Sequence, residues 1–85
     1  MTRLLSTGET IDTWGDEAEP RGFVWRGTAH QIVQICNRWR VQTRWWESGQ
    51  AVRREYFKVA TDKGTLCQLY YDLDSGRWFL ARLYD

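Results

Sequence analysis

Two turn signals, Asp62-Lys63-Gly64 and Asp74-Ser75-Gly76, cut the C-terminal part of this chain into runs too short for helices. Each fits a three-residue hairpin loop, a type I turn followed by a glycine at positive φ in the bulge position. Such punctuation restricts the flanking segments to antiparallel pairing. Joining Thr61 to Thr65 sets Val59 opposite Cys67 and Phe57 opposite Leu69, and joining Leu73 to Arg77 sets Tyr71 opposite Phe79 and Leu69 opposite Ala81. The runs are rich in β-branched and aromatic residues, and similar runs continue upstream to Phe23. Strands are therefore predicted near residues 23–27, 30–36, 38–46, 52–60, 65–72 and 77–84.

The fold class that follows is all-β, an antiparallel meander of five to six strands forming a curled sheet or a small SH3-like open barrel. One segment admits a second description. Ile32, Ile35, Cys36 and Trp39 recur at i, i+3, i+4 and i+7, the spacing of a short helix near 30–38. A strand with a bulge is preferred, because the stretch is short and its neighbours are strand-like. In either form it joins Phe23 and Trp25 as the second layer of the core.

At 85 residues the chain is one domain, of a size at which large aromatic side chains are an efficient way to bury surface. Residues 1–22 are polar and acidic and read as a largely flexible N-terminal arm, with an edge strand only at 11–14; residues 23–85 form the β domain. The net charge of +1 conceals an uneven distribution. Residues 1–20 carry one basic and five acidic residues, whereas residues 21–60 carry eight basic and two acidic. The basic block is almost entirely arginine, which favours planar, bidentate or stacked contacts over diffuse attraction.

Extending the ladder through the loop 47–51, with Trp46 across from Val52, puts Trp39, Val41, Trp45, Phe57, Val59, Cys67, Leu69, Tyr71, Phe79, Ala81 and Leu83 on a core face. The opposite face holds the candidate binding residues: Arg40, Arg44, Trp46, Arg54, Tyr56, Lys58, Tyr70, Trp78 and Arg82. In this register Arg44 faces Arg54 and Arg40 faces Lys58, like-charge pairs that call for solvent, a nearby acid such as Asp72, or an anionic ligand. Three readings of this face compete: a solvated sheet surface, a nucleic-acid site with rings for stacking and cations for phosphates, and an adaptor for a peptide or partner domain.

Catalytic and metal-binding classes find little material here. His30 is the one histidine, and Cys36 and Cys67 belong to no CxxC or Cys/His cluster, so reduced, buried cysteines are expected, with no disulfide framework and no metal site. The glycines lie in turns and form no phosphate-cradling motif, and the acidic residues sit in the N-terminal segment and in turns. The expectation is a non-catalytic protein without cofactors. No apolar run approaches a membrane span and no signal-peptide pattern opens the chain, so the reading is a cytoplasmic protein, a monomer or a weak homodimer paired through uncovered edge strands.

A set of residues carries a family resemblance: Pro20-x-x-Phe23-x-Trp25-Arg26-Gly27, Trp39, Trp45-Trp46, Arg54-Glu55-Tyr56-Phe57, Leu69-Tyr70-x-Asp72 and Gly76-Arg77-Trp78-x-Leu80-x-Arg82-x-Tyr84-Asp85. Over roughly residues 9–85 the pattern resembles a small uncharacterised bacterial domain, found free-standing or near or attached to Y-family, translesion-type DNA polymerase homologues of SOS mutagenesis operons. His30 departs from it, standing where an aromatic hydroxyl such as tyrosine is expected. The resemblance implies an accessory role in DNA repair or translesion synthesis, with single-stranded or duplex DNA and a polymerase-like protein as candidate partners.

Overall fold

The computed structural model describes residues 2–16, 18–44 and 51–84. Six strands, β1 (Thr2–Gly15), β2 (Pro20–Trp25), β3 (Thr28–Arg44), β4 (Ala51–Thr61), β5 (Leu66–Asp72) and β6 (Arg77–Tyr84), pair antiparallel with their neighbours in sequence. β6 returns to β1, so the meander is a closed barrel where an open one was expected.

Closure comes from the segment read as an arm. β1 pairs with β6 through Thr2–Leu4 and Glu9–Ile11 and with β2 from Asp12 onward, so the strand anticipated at 11–14 is one part of a much longer one. A barrel strand needs to send only alternate side chains inward, and Ile11, 5% exposed, is the inward anchor. A polar composition is compatible with that requirement.

The first turn signal acts as its residues dictate. Gly64 has φ 78° and donates its N–H to the Thr61 carbonyl at 3.0 Å, while the Thr61 N–H reaches the Thr65 carbonyl at 2.9 Å. Val59 therefore faces Cys67 and Phe57 faces Leu69, as expected. The second turn is one residue longer: Asp72 pairs with Arg77, with the Gly76 N–H on the Asp72 carbonyl at 2.8 Å. Tyr71 now faces Trp78 and Tyr70 faces Phe79, and an irregularity between Gln68 and Leu69 returns the ladder to Gln68–Arg82. Trp78 and Leu80 are thereby turned inward, and Phe79 is placed outward beside Tyr70.

No helix forms at 30–38. The stretch is strand, with register shifts between Ile32 and Gln34 and between Ile35 and Asn37. Each bulge inserts one residue, which explains the helix-like spacing: Ile32 and Ile35 lie three apart and still pack against the core, while the extra Val33 is 63% exposed. Between the bulges and the β3–β4 connection, from Asn37–Lys58 to Arg44–Ala51, the register stands three residues from the expected one, so that Arg38 faces Phe57 and Trp39 faces Tyr56. An odd slip exchanges the faces of a strand, so Trp39 and Val41 leave the predicted core side. The anticipated Arg44–Arg54 and Arg40–Lys58 pairs do not form; Val41 faces Arg54 and Arg40 faces Glu55. Trp45 and Trp46 lie outside the described residues.

The core is Ile11, Phe23, Phe57, Val59, Cys67, Leu69, Trp78, Leu80 and Leu83, with Trp25, Ile32, Ile35 and Tyr71 packed against it. Full burial of a side chain such as Phe57 or Leu69 contributes about 1.5–3 kcal/mol. Both cysteines are free; Cys67 is buried as expected and Cys36 is exposed.

Candidate functional site

On the outer surface of β3 to β6 four aromatic rings, one from each strand, form a row. Trp39 and Tyr56 are parallel, with centroids 5.4 Å apart and planes at 7°; Tyr56 and Tyr70 follow at 5.2 Å and 40°, and Tyr70 and Phe79 at 4.9 Å and 17°. Cross-strand pairing of aromatic positions creates this row, because residues opposite each other in a ladder share a face. Among the described residues no other ring meets Trp39, which ends the row half-buried, whereas the inner rungs give their faces to one another.

Cations lie along the row. The Arg54 guanidinium sits 4.4 Å from the Tyr70 ring centroid and donates to the Tyr56 hydroxyl at 3.3 Å. Burial opposes the Arg54 charge, but the Tyr56 hydrogen bond, with Tyr70 and Asp72 nearby, outweighs it and raises its pKa above the ordinary value. Tyr70 is 4% exposed, and that burial raises the pKa of its hydroxyl, with Arg54 working in the opposite direction. Lys58 and Arg82 flank Tyr84, at 5.0 Å and 5.9 Å from its ring, and the Tyr84 hydroxyl donates to Gln68 Oε1 at 3.3 Å.

Gly8 brings β1 against this row. A Cβ at that position would come within 2.9 Å of the Tyr70 hydroxyl and 3.4 Å of Phe79 Cβ, and its φ of 74° suits glycine. The close backbone approach helps bury Tyr70, so the chemistry open to a ligand here is the half-buried Trp39 at the end of the row, ring edges and positive charge.

Of the residues singled out from sequence, Arg54, Tyr56, Lys58, Tyr70 and Arg82 are brought together. Trp78 is not among them: it is 8% exposed inside the barrel, with Phe57 at 5.3 Å and Tyr71 at 5.2 Å. Arg40 lies on the other side of β3, where its Nε meets Glu55 Oε2 at 3.0 Å. Arg44 is placed only by its backbone pairing with Ala51, and Trp46 falls outside the described residues. Trp39 and Phe79, which complete the row, and Tyr84, which lies between Lys58 and Arg82, are not among the residues singled out from sequence. The signal for Trp39 and Phe79 was present in the aromatic residues of the neighbouring strands, but the wrong registers concealed it.

His30 is a packed residue. Its ring stacks on Phe23 at 4.9 Å and 11°, it is 8% exposed, and neither nitrogen has a hydrogen-bond partner. Burial lowers its pKa, Lys63 adds to that effect and Asp62 opposes it, so the ring is held toward the neutral form. Among the described residues no three of His, Cys, Asp and Glu come together as a metal site.

No match is found among curated proteins or among solved structures. A domain of unknown function, DUF6504, matches residues 5–85, almost the whole barrel from β1 to β6, and the chain belongs to that family.

Proposed function

We propose that this barrel is a non-catalytic accessory module that binds nucleic acid through the outer face of β3 to β6, in DNA repair or translesion synthesis. The observation that carries the reading is the row Trp39–Tyr56–Tyr70–Phe79 with Arg54, Lys58 and Arg82 beside it. A tryptophan at the end of such a row offers a sequence-tolerant stacking surface for a base, and the cations over Tyr70 and Tyr84, further along the same face, suit the phosphates of neighbouring nucleotides. The DNA context is supported by the resemblance to domains that accompany Y-family polymerase homologues, an association of neighbours that carries no site chemistry.

A second reading is favoured by the way the inner rings are used. Tyr56 and Tyr70 have their faces occupied, and an array of ring edges beside an arginine also suits a polymerase-like protein partner. Titrating labelled single-stranded and duplex DNA at low and moderate salt separates the two. Three phosphate contacts on a single strand, at about 0.7 counterions each, weaken binding roughly 20-fold between about 50 and about 200 mM salt. Saturable binding with that dependence supports the nucleic-acid reading. Absence of binding at both salts rejects it and directs the test to the polymerase-like partner.

A further inference from the structure

β3 is a full member of the barrel only at its start. Thr28–Gln31 pair with β2, but β2 begins at Pro20, and from residue 33 onward β3 has a single neighbouring strand, β4, among the described residues. Proline suits the first residue of a strand, because it has no N–H to donate to a ladder. The result is a sheet edge with no partner strand among the described residues, on which the Arg38 N–H is occupied by Asn37 Oδ1 at 2.9 Å. The bulges at Val33 and Cys36 disrupt its first part, but pairing with β4 is continuous from Asn37 to Arg44, which leaves one regular edge of strand length.

The two sides of that edge differ in chemistry. Arg38 and Arg40 share the side of their partners Phe57 and Glu55, and with Glu55, Tyr71, Leu73 and Ala18 they line a cleft of about 210 Å³. The Arg38 guanidinium lies 5.4 Å from the Phe57 ring and has no carboxylate partner among the described residues, while Arg40 is paired with Glu55. The opposite side presents Trp39 and Val41, both half-buried. A strand added here would meet a net positive charge on one side, Arg38 beside the Arg40–Glu55 pair, and the half-buried Trp39 and Val41 on the other.

We propose that the Asn37–Arg44 edge accepts an extended segment of a partner protein by strand addition, its acidic side chains toward Arg38 and Arg40 and its apolar side chains toward Trp39 and Val41. Backbone hydrogen bonds supply affinity in this mode and alternate side chains supply selectivity. Charge decides between a foreign strand and a second copy of this chain. A second copy added in matching register brings its own Arg38 and Arg40 to the same ladder, where like charges repel, and an acidic strand neutralises them. The edge shares Trp39 with the outer face, so an added strand and a stacked base compete for that ring, but backbone pairing and Arg38 belong to the edge alone.

The test uses the full chain and a fluorescent peptide alternating glutamate and valine, with the lysine–valine peptide as control. The acidic peptide binds about tenfold more tightly, a preference of the size expected for exposed charge pairs, and Arg38→Glu removes it. Methylating alternate backbone nitrogens of the peptide on one phase abolishes binding, and on the other phase leaves it nearly intact, because only alternate residues of an added strand bond to the edge. Equal binding of acidic and basic peptides, equal tolerance of both methylation phases, or no binding at all overturns the proposal. So does sedimentation showing that the free chain dimerises with its β3 edge amides protected from exchange, which assigns the edge to a second copy.

Discussion

Trp39 on β3 and Tyr56 on β4 are cross-strand partners whose rings lie parallel, 5.4 Å apart and 7° from coplanar orientation. Tyr56 is held between Trp39 and Tyr70, whereas Trp39 ends the row. Trp39→Ala is therefore expected to weaken single-stranded DNA binding by about 1–3 kcal/mol, the range for loss of one base–aromatic stack. Tyr56→Ala costs less binding, because its faces already serve its neighbours. Fluorescence anisotropy with the two variants measures the difference.

Arg54 should contribute charge as well as shape. Arg54→Ala is predicted to lower affinity at low salt and to reduce the slope of log affinity against log salt by about 0.7, the loss of one phosphate contact on a single strand. Arg40→Ala removes a cation paired with Glu55 on the other side of the sheet and leaves the slope unchanged. Equal effects from the two substitutions would locate the charge dependence elsewhere than on this face.

Trp78 has a structural role. It contacts Phe57 and Tyr71 within the barrel at 5.3 Å and 5.2 Å, so Trp78→Ala leaves a cavity and is expected to destabilise the fold by about 3–5 kcal/mol. Urea unfolding should show a lower midpoint with little change in slope. A Trp78→Ala protein of unaltered stability would contradict the inward placement.

What could be read from the chain beforehand follows the reach of local chemistry. Asp62-Lys63-Gly64 defines its own hairpin, so the Phe57–Leu69 and Val59–Cys67 pairs follow from a single turn. Errors entered wherever register had to be carried across something nonlocal. Asp74-Ser75-Gly76 closes one residue wider than its glycine suggests, which exchanged Trp78 for Phe79 on the outer face. The β3–β4 register had to be carried through residues 47–51 with no two- or three-residue turn to set it; Arg44 pairs with Ala51, three residues from the alignment expected with Trp46 across from Val52, and Trp39 therefore lies on the side opposite to the expected one. β1 escaped recognition because the energy that orders it comes from pairing with β6 and β2, while its own composition is polar. The residues least affected, Arg54, Tyr56, Lys58 and Tyr70, belong to the β4–β5 hairpin set by the legible turn.

His30 makes stability depend on pH. Its folded-state pKa lies below 6.5, because burial and Lys63 disfavour the charged ring, so the unfolded chain binds the proton more readily. The neutral ring's contribution is complete above about pH 6.5 and is lost as pH falls toward the folded-state value. His30→Phe keeps the stack on Phe23 and removes the titration. Thermal unfolding at intervals between pH 7.5 and 5 should show the native protein losing stability relative to this variant; parallel curves would contradict the buried, unpartnered state of the ring.

The most direct measurement of the central claim is a chemical-shift map of the uniformly ¹⁵N-labelled protein titrated with oligothymidylate at low salt. Saturable shifts are expected at the Trp39 indole N–H and at the backbone amides of Arg54, Tyr56, Lys58, Arg82 and Tyr84, diminishing as salt is raised. An unchanged spectrum, or shifts confined to the Arg38, Arg40 and Glu55 side of the sheet, would contradict that claim.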